Sequence, residues 1–292
     1  MPPLAKCVRM STVCAFSYAR RVCEQSASAF VRSLIGTLVQ IVGYETVPVG
    51  EEDSAALLLA EDGELTRTPL TPGTELQYSL GDRRCAGTIE NGEHFPCSNE
   101  SAPYCDQHTS RWACARCTGD CSMPLDSCHE EHAIYLAAFA PATFKVGVTR
   151  SWRLETRLRE QGADRAAHLR TVANGRVARR IEAEIAADTG DRIRVPTKIQ
   201  GLHESVDTER WEQLCADYEP IEQFSFAYGL SLSERPMAET IASGTVRGTQ
   251  GRVLILDRAG STYAVNMRDL VGYEVTEGGT DRALQSSFAS FE

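Results

Sequence analysis

The sequence predicts an α+β fold, in which a cysteine-rich module precedes a small core of strand, strand, helix, strand and helix, with β-rich segments on both sides. Three observations lead to this prediction. Seven of the eleven cysteines lie between residues 85 and 128. After residue 132, continuous apolar runs, which are typical of buried strands, alternate with segments whose apolar residues are spaced as in a helix. Elsewhere, turn pairs such as Asp62-Gly63 and Ala259-Gly260 separate β-like runs.

These observations divide the chain into five parts. They are an N-terminal extension (1–37), a β-rich segment (38–82), the cysteine-rich module (83–132), the core (133–190), and a helix followed by a β-rich domain (191–292). The extension carries five basic residues against one acidic residue. We interpret it as a disordered tail or as residues translated from a start codon placed too early.

Composition argues against two classes of protein. Hydrophobic residues make up 42% and charged residues 24% of the 292 residues, which is typical of a globular protein and argues against general disorder. No run approaches the roughly 18 apolar residues of a transmembrane helix, so we expect no membrane span and a cytoplasmic location. The net charge is −10, and only three of the 30 basic residues are lysines. Acid-rich, lysine-poor chains resemble the proteins of salt-loving archaea.

The spacing of the cysteines predicts two zinc ions. Two-residue spacers, as in Cys-x2-His and Cys-x2-Cys, let two side chains reach one tetrahedral ion from a tight turn. The first predicted ligand set is Cys85, Cys97, Cys105 and His108, and the second is Cys114, Cys117, Cys121 and Cys128. The segments between them are rich in turn formers and poor in apolar residues. Metal binding, worth roughly 10–16 kcal/mol per structural zinc, is therefore expected to drive their folding.

Two alternatives to this assignment stay open. The ligands can interleave between the ions, with His129 or His132 in place of a cysteine, and an iron–sulfur cluster is the rival to zinc. Four protein ligands leave no open coordination position, so we expect the zinc ions to be structural rather than catalytic.

The core is predicted to alternate strands and helices. The predicted elements are strands at Ala133–Phe139, Phe144–Thr149 and Ala167–Val172 and helices at Trp152–Gln161 and Arg176–Asp188. Gly162 follows the first helix in the position that favours a left-handed cap, and Asn174-Gly175 precedes the second.

The core is also strongly basic. Between Lys145 and Arg180 lie ten basic and three acidic residues, an excess of seven positive charges in an acidic protein. On a helix, Arg150, Arg153 and Arg157 share one face. Such a concentration predicts contact with the phosphates of DNA or RNA. The candidate nucleic-acid-binding residues are Arg150, Arg159, Arg176, Arg179 and Arg180. The alternative is that these arginines form ion pairs with surface acids.

The cysteines and the run that follows them, EHAIYLAAFAPATFKVGVTR, resemble an uncharacterised archaeal and bacterial family, domain of unknown function 2797. That resemblance covers nearly everything from Leu38 onward. It implies no activity.

A second resemblance does imply one. The strand around Tyr135, the run Lys145-Val146-Gly147, and the two helices that follow are similar to the core of the GIY-YIG nucleases. That family cleaves phosphodiesters with a motif tyrosine, an arginine on the first helix and a glutamate on a later helix that binds a divalent metal. The resemblance implies a nuclease dependent on Mg²⁺ or Mn²⁺ whose catalytic residues are Tyr135, Lys145, Arg153 or Arg157, and Glu182.

The chain departs from the nuclease pattern at Lys145, which stands where the second motif tyrosine would be. A lysine is a poor base unless its pKa is strongly lowered. Glu182 and Glu184 point about 200° apart on a helix, so only one of them can face the site.

The β-rich flanks are predicted to support the core. The same residue types recur near both ends, as Val42-Gly43-Tyr44-Glu45 and as Val271-Gly272-Tyr273-Glu274. Three interpretations stay open: the two ends form one barrel or sandwich, they form two related ones, or the shared pattern is a coincidence. A helix is predicted at Asp207–Tyr218, with Trp211 and Leu214 facing inward.

The sequence is therefore compatible with three functions. The leading one is a zinc-stabilised, GIY-YIG-like nuclease acting on DNA or RNA. The second is a nucleic-acid-binding module without catalysis, and the third is a zinc-dependent scaffold for protein interactions. The sequence does not predict the oligomeric state.

Overall fold

Strands from both ends of the chain form one sheet. The computed structural model describes residues 38–46, 54–109 and 126–279. The strands of the described residues are β1 Val39–Glu45, β2 Ala56–Glu61, β3 Glu64–Pro69, β4 Glu75–Arg83, β5 Thr88–Glu90, β6 Glu93–Phe95, β7 His132–Phe139, β8 Thr143–Arg150, β9 Arg165–Val172, β10 Glu222–Ser225, β11 Met237–Ala238, β12 Ala242–Gln250, β13 Val253–Arg258, β14 Ser261–Asn266 and β15 Tyr273–Glu277. The helices are α1 Leu154–Gln161, α2 Gly175–Thr189, α3 Val195–Gly201, α4 Thr208–Ala216 and α5 Met267–Leu270.

The large sheet has nine strands in the order β11-β14-β13-β12-β4-β15-β1-β2-β3. Strand β1 pairs with β15, with Val39 opposite Val275, so the two echoed Val-Gly-Tyr-Glu segments belong to neighbouring strands. One hydrophobic cluster runs along this sheet and includes Ile41, Leu57 and Leu254. The β-rich flanks are thus parts of a single sheet. The predicted hairpin turns at Asp62-Gly63 and Ala259-Gly260 are both confirmed.

The core is a four-stranded sheet in the order β10-β9-β7-β8. Strand β7 occupies an interior position and is buried on both faces. Ile134 and Leu136 face a cluster that includes helix α4, whereas Ala133 and Tyr135 face a cluster that includes helix α1. Burial on both faces explains why the sequence of β7 is continuously apolar rather than alternating.

The predicted order of core elements is confirmed, with boundaries that differ by a few residues. Gly162 ends helix α1 with φ of +69°, in the left-handed conformation that a C-terminal glycine favours. The side chain of Asn174 accepts a hydrogen bond from the Val177 N–H and caps helix α2. The predicted helix near Trp211 is α4, in which Trp211 is buried.

One prediction about the first helix is wrong. Arg150 is the last residue of strand β8, and a 3₁₀ turn at Ser151–Arg153 separates it from helix α1. Arg150, Arg153 and Arg157 therefore do not share one helix face. Arg150 and Arg153 instead both lie against the ring of Trp152, 4.6 and 5.8 Å from its centroid.

The core and the large sheet meet at two glycines. A Cβ atom on Gly251, in the turn between β12 and β13, would lie 2.6 Å from the backbone nitrogen of Gly162. The Gln250 side chain donates hydrogen bonds to the Gly162 carbonyl (3.0 Å) and to an Asp164 carboxylate oxygen (2.9 Å). These contacts hold the end of helix α1 against the large sheet. Among the described helices, none is long and apolar enough to cross a membrane.

Candidate functional site: a metal centre and a basic cleft

Three cysteines and one histidine come together directly after strand β4. The ligand atoms of Cys85, Cys97, Cys105 and His108 all lie within 4.8 Å of one another. His108 Nδ1 is 3.4 Å from the sulfur of Cys85 and 3.3 Å from that of Cys105. Sulfur and nitrogen ligands at two corners of a zinc tetrahedron are about 3.5 Å apart, so these four side chains can hold a metal ion such as zinc.

Backbone hydrogen bonds place the four ligands. The Cys85 N–H donates to the Asn99 carbonyl at 2.8 Å, which brings the two loops of the module together. The N–H groups of His108 and Thr109 both donate to the Cys105 carbonyl, which forms the tight turn of the Cys-x2-His segment. The first predicted ligand set is therefore a real cluster in the fold.

The electrostatics of the cluster also suit a metal. Burial disfavours the thiolate of Cys105. Hydrogen bonds from the backbone N–H groups of His108 and Gln107 outweigh this effect of burial and lower the pKa of Cys105 to about 7. Burial raises the pKa of Cys85. The Cys105 N–H lies 3.2 Å from the Cys85 sulfur and donates to it.

The second predicted ligand set is largely outside the described residues. Cys114, Cys117 and Cys121 lie there, whereas Cys128 is described and buried. Its Cα lies 3.6 Å from the position of a Cβ atom on Gly175, at the start of helix α2. The second ion remains a prediction.

A cleft of about 700 Å³ lies between the core and the large sheet. The basic residues that line it are Lys145, Arg157, Arg192, Arg194, Lys198 and Arg252. Only two acids, Glu160 and Asp191, line it with them. The cleft is therefore strongly positive although the protein is acidic.

Tyr135 is buried beneath this cleft and is 2% exposed. Its hydroxyl accepts a hydrogen bond from Gln161 Nε2 at 2.5 Å. Burial raises its pKa, and the positive charge of Arg157 only partly opposes that rise. Tyr135 thus remains a neutral phenol near neutral pH.

Lys145 lines the cleft on strand β8 and donates a hydrogen bond to the Asp191 carbonyl at 3.2 Å. Burial, followed by the positive charge of Arg157, lowers its pKa to about 8. The condition for a lysine to act as a base, a strongly lowered pKa, is therefore met at the position where the nuclease pattern has tyrosine.

The structure distinguishes the two candidate arginines on helix α1. Both form ion pairs with Glu160, Arg153 at 2.7 Å and Arg157 at 3.0 Å. Arg157 lines the cleft, and its charge affects the pKa values of both Tyr135 and Lys145.

It also distinguishes the two glutamates on helix α2. Glu184 is exposed, whereas the Glu182 side chain is 12% exposed and forms a 2.6 Å ion pair with Arg179. The negative charge of Glu182 acts to raise the pKa values of both Tyr135 and Lys145, although Glu182 is not among the residues that line the cleft.

Several of the other predicted arginines have acidic partners. Arg150 pairs with Glu130 at 3.3 Å, and Arg159 pairs with Glu155 at 2.8 Å. Arg180 is exposed, and Arg176 is half-buried and also has a partner. Much of the positive charge counted along the sequence is thus neutralised at the surface of the core.

Sequence reasoning missed several residues of the cleft, among them Gln161, Arg192, Arg194, Lys198 and Arg252. Gln161 holds the Tyr135 hydroxyl, and Lys198 and Arg252 come from outside the core. The scarcity of lysine was the available signal, because two of the three lysines in the chain line this one cleft.

The fold and the sites define a strand-rich α+β protein that carries a Cys₃His cluster and a separate basic cleft. The chain belongs to the family described as "protein of unknown function (DUF2797)", whose model matches residues 73–275. No curated protein and no solved structure matches the chain.

Proposed function

We propose that the protein binds nucleic acid in the basic cleft and cleaves phosphodiester bonds there. The observation that carries this proposal is that Lys145 and Arg157 line one positively charged cleft, where Gln161 holds the Tyr135 hydroxyl and the charge of Glu182 acts on both Tyr135 and Lys145. These residues come from β7, β8, α1 and α2, in the order and on the elements that the GIY-YIG resemblance implies.

Each of these residues has a distinct role in the proposal. Arg157 faces the cleft and binds the phosphate whose charge grows in the transition state. Lys145 accepts the proton of the attacking water, since an amine with a pKa of about 8 is partly unprotonated near neutral pH. Tyr135, held by Gln161, orients the phosphate from below as a hydrogen-bond donor.

Glu182 supplies the ligand for a divalent cation. Mg²⁺ is commonly bound by one or two carboxylates together with substrate phosphates, so a single partly buried glutamate fits this mode. When bound there, Mg²⁺ or Mn²⁺ would stabilise negative charge on the phosphate. Binding requires the Glu182 carboxylate to exchange Arg179 for the cation.

The Cys₃His cluster has a structural role in this proposal. Four protein ligands leave no open position for substrate, and the module has little apolar surface of its own. We extend the proposal to a second zinc ion bound by Cys114, Cys117, Cys121 and Cys128.

A second candidate function is nucleic-acid binding without cleavage. The ion pair of Glu182 with Arg179 favours it, because the carboxylate already has a cationic partner. The cleft cations serve both candidates equally.

Single-turnover cleavage of labelled single-stranded and branched DNA and RNA, with Mg²⁺ or Mn²⁺, tests the proposal. We expect Glu182→Gln to abolish cleavage and Glu184→Gln, an exposed residue on the same helix, to leave it unchanged. Equal rates in the two variants would contradict the catalytic role of Glu182. Binding without cleavage under any of these conditions would favour the second candidate.

A further inference from the structure

Four of the six cleft cations lie outside the core (133–190), and two of these, Lys198 and Arg252, belong to elements of or against the large sheet. Lys198 lies on helix α3, which packs on the large sheet through Val195 and Ile199. Arg252 lies in the turn between β12 and β13 of that sheet. The cleft therefore has one wall from the core and one wall from elements that carry no part of the nuclease pattern.

Lys198 is held in place without a carboxylate partner among the described residues. Its Nζ donates a hydrogen bond to the Gln161 carbonyl at 2.6 Å and lies 4.0 Å from the centroid of the Phe139 ring. Burial, with the positive charges of Lys145, Arg252 and Arg157, lowers its pKa to about 7, and the charge of Asp164 acts in the opposite direction. Such an ammonium gains by binding an anion.

Lys198 and Arg252 differ from the surface arginines in their partners. Arg150, Arg159 and Arg179 each have a carboxylate within 3.3 Å. In the part of the chain that the structure describes, no carboxylate lies within 4.0 Å of the Nζ of Lys198 or the guanidinium of Arg252. Within the cleft, Lys198 and Arg252 thus also differ from Arg157 and Arg192, which pair with Glu160 and Asp191.

We propose that Lys198 and Arg252 form a second phosphate-binding subsite, which holds the phosphate next to the one bound by Arg157 on a single nucleic-acid strand. This inference rests on the proposed function, because it takes the ligand to be nucleic acid. The cleft of about 700 Å³ has the size of a small-molecule pocket, and we take its ligand to be one extended strand.

The subsite gives the large sheet a role in binding. Helix α3 is fixed to the sheet, and the Gly162–Gly251 contact fixes helix α1 to the neighbouring turn. The two subsites are therefore held by packed elements rather than by free loops, which lowers the entropy lost when a strand binds.

Fluorescence anisotropy of a labelled 12-nucleotide single strand, titrated over a range of KCl, tests the subsite. The logarithm of the binding constant falls linearly with the logarithm of the salt concentration, and each phosphate contact on a single strand contributes about 0.7 to the slope of that fall. We expect Arg252→Gln and Lys198→Gln each to reduce the slope by about 0.7, and the double variant by about 1.4. Arg210→Gln is the matched control, since Arg210 is exposed and pairs with Asp207 outside the cleft.

The outcomes separate this inference from the proposed function. A slope lowered by Arg157→Gln but unchanged by Arg252→Gln and Lys198→Gln would overturn the subsite alone. Absence of salt-dependent binding by the wild type would overturn both. If pyrophosphate displaces the oligonucleotide at equal concentration and the same variants bind pyrophosphate less well, the ligand of the subsite is a small diphosphate and not a nucleic-acid strand. Arg252, whose side chain has no hydrogen bond in the described structure, provides the test if Lys198→Gln fails to fold.

Discussion

The hydroxyl of Tyr135 lies directly over Gly147, its partner on the neighbouring strand. The two residues are in register across β7 and β8, and a Cβ atom on Gly147 would lie 2.5 Å from the tyrosine oxygen. Glycine therefore gives the tyrosine room to cross the adjacent strand toward Gln161 and the cleft. This contact explains physically why Lys145-Val146-Gly147 ends in glycine.

Replacing Gly147 is expected to displace Tyr135. Gly147→Ala introduces a methyl group into a filled position, and such overpacking commonly costs about 1–3 kcal/mol. The free energy of unfolding, measured by denaturant titration, should fall by that amount, and oligonucleotide cleavage should fall with it. Gly279→Ala is the control, because a Cβ atom there meets nothing within 4 Å. Equal stability of the two variants would show that Tyr135 does not occupy this position.

Metal content tests the Cys₃His cluster. With two zinc ions in the wild type, Cys105→Ser and Cys117→Ser should each leave about one ion per chain, measured by elemental analysis. The reason is that each variant removes one ligand from a different four-ligand site. Cys215→Ala, which changes a cysteine buried in the core of the small sheet, should retain both ions. An unchanged zinc content in Cys105→Ser would contradict the assignment of this cluster.

The two arginines on helix α1 should differ in effect. Arg157→Gln removes a cation that lines the cleft and should lower the single-turnover cleavage rate by about 100-fold, as loss of a transition-state donor commonly does. Arg153 does not line the cleft, so Arg153→Gln, which breaks an equivalent ion pair with Glu160, should lower the rate by less than 10-fold. Reversed effects would assign the clamp to Arg153.

The pH dependence of cleavage follows from Lys145. Its pKa is lowered to about 8, and only the unprotonated amine accepts a proton, so the rate should rise with pH and level off above about 8. Lys145→Gln should give a low rate that does not change over this range. A wild-type rate that falls as pH rises from 6 to 9 would exclude Lys145 as the base.

The sequence predicts the local structure of the core well, because its determinants are local. The apolar run of β7, the glycine cap at Gly162 and the Cys-x2-His turn each depend on a few consecutive residues. Within the first metal cluster, only the pair Cys105 and His108 follows for the same reason, because Cys85 and Cys97 come from earlier parts of the chain.

The composition of the cleft is not predictable in the same way. Lys198 and Arg252 lie far from Lys145 in the chain, and only the packing of helix α3 on the large sheet brings them together. Counting charges along the sequence overestimates the basic face, because partners such as Glu130 and Glu182 lie just outside the basic segment. Helix α3 itself was not predicted, since it is short and carries a proline in its first turn.

Amine footprinting tests the central claim, that nucleic acid binds in the cleft, most directly. The chain has three lysines, Lys6, Lys145 and Lys198, and the last two line the cleft. The protein would be acylated at pH 8 with and without a saturating single-stranded oligonucleotide, and the modified lysines quantified by mass spectrometry. We predict that the oligonucleotide reduces acylation of Lys145 and Lys198 relative to Lys6. Equal acylation of both cleft lysines with and without the oligonucleotide would contradict the account.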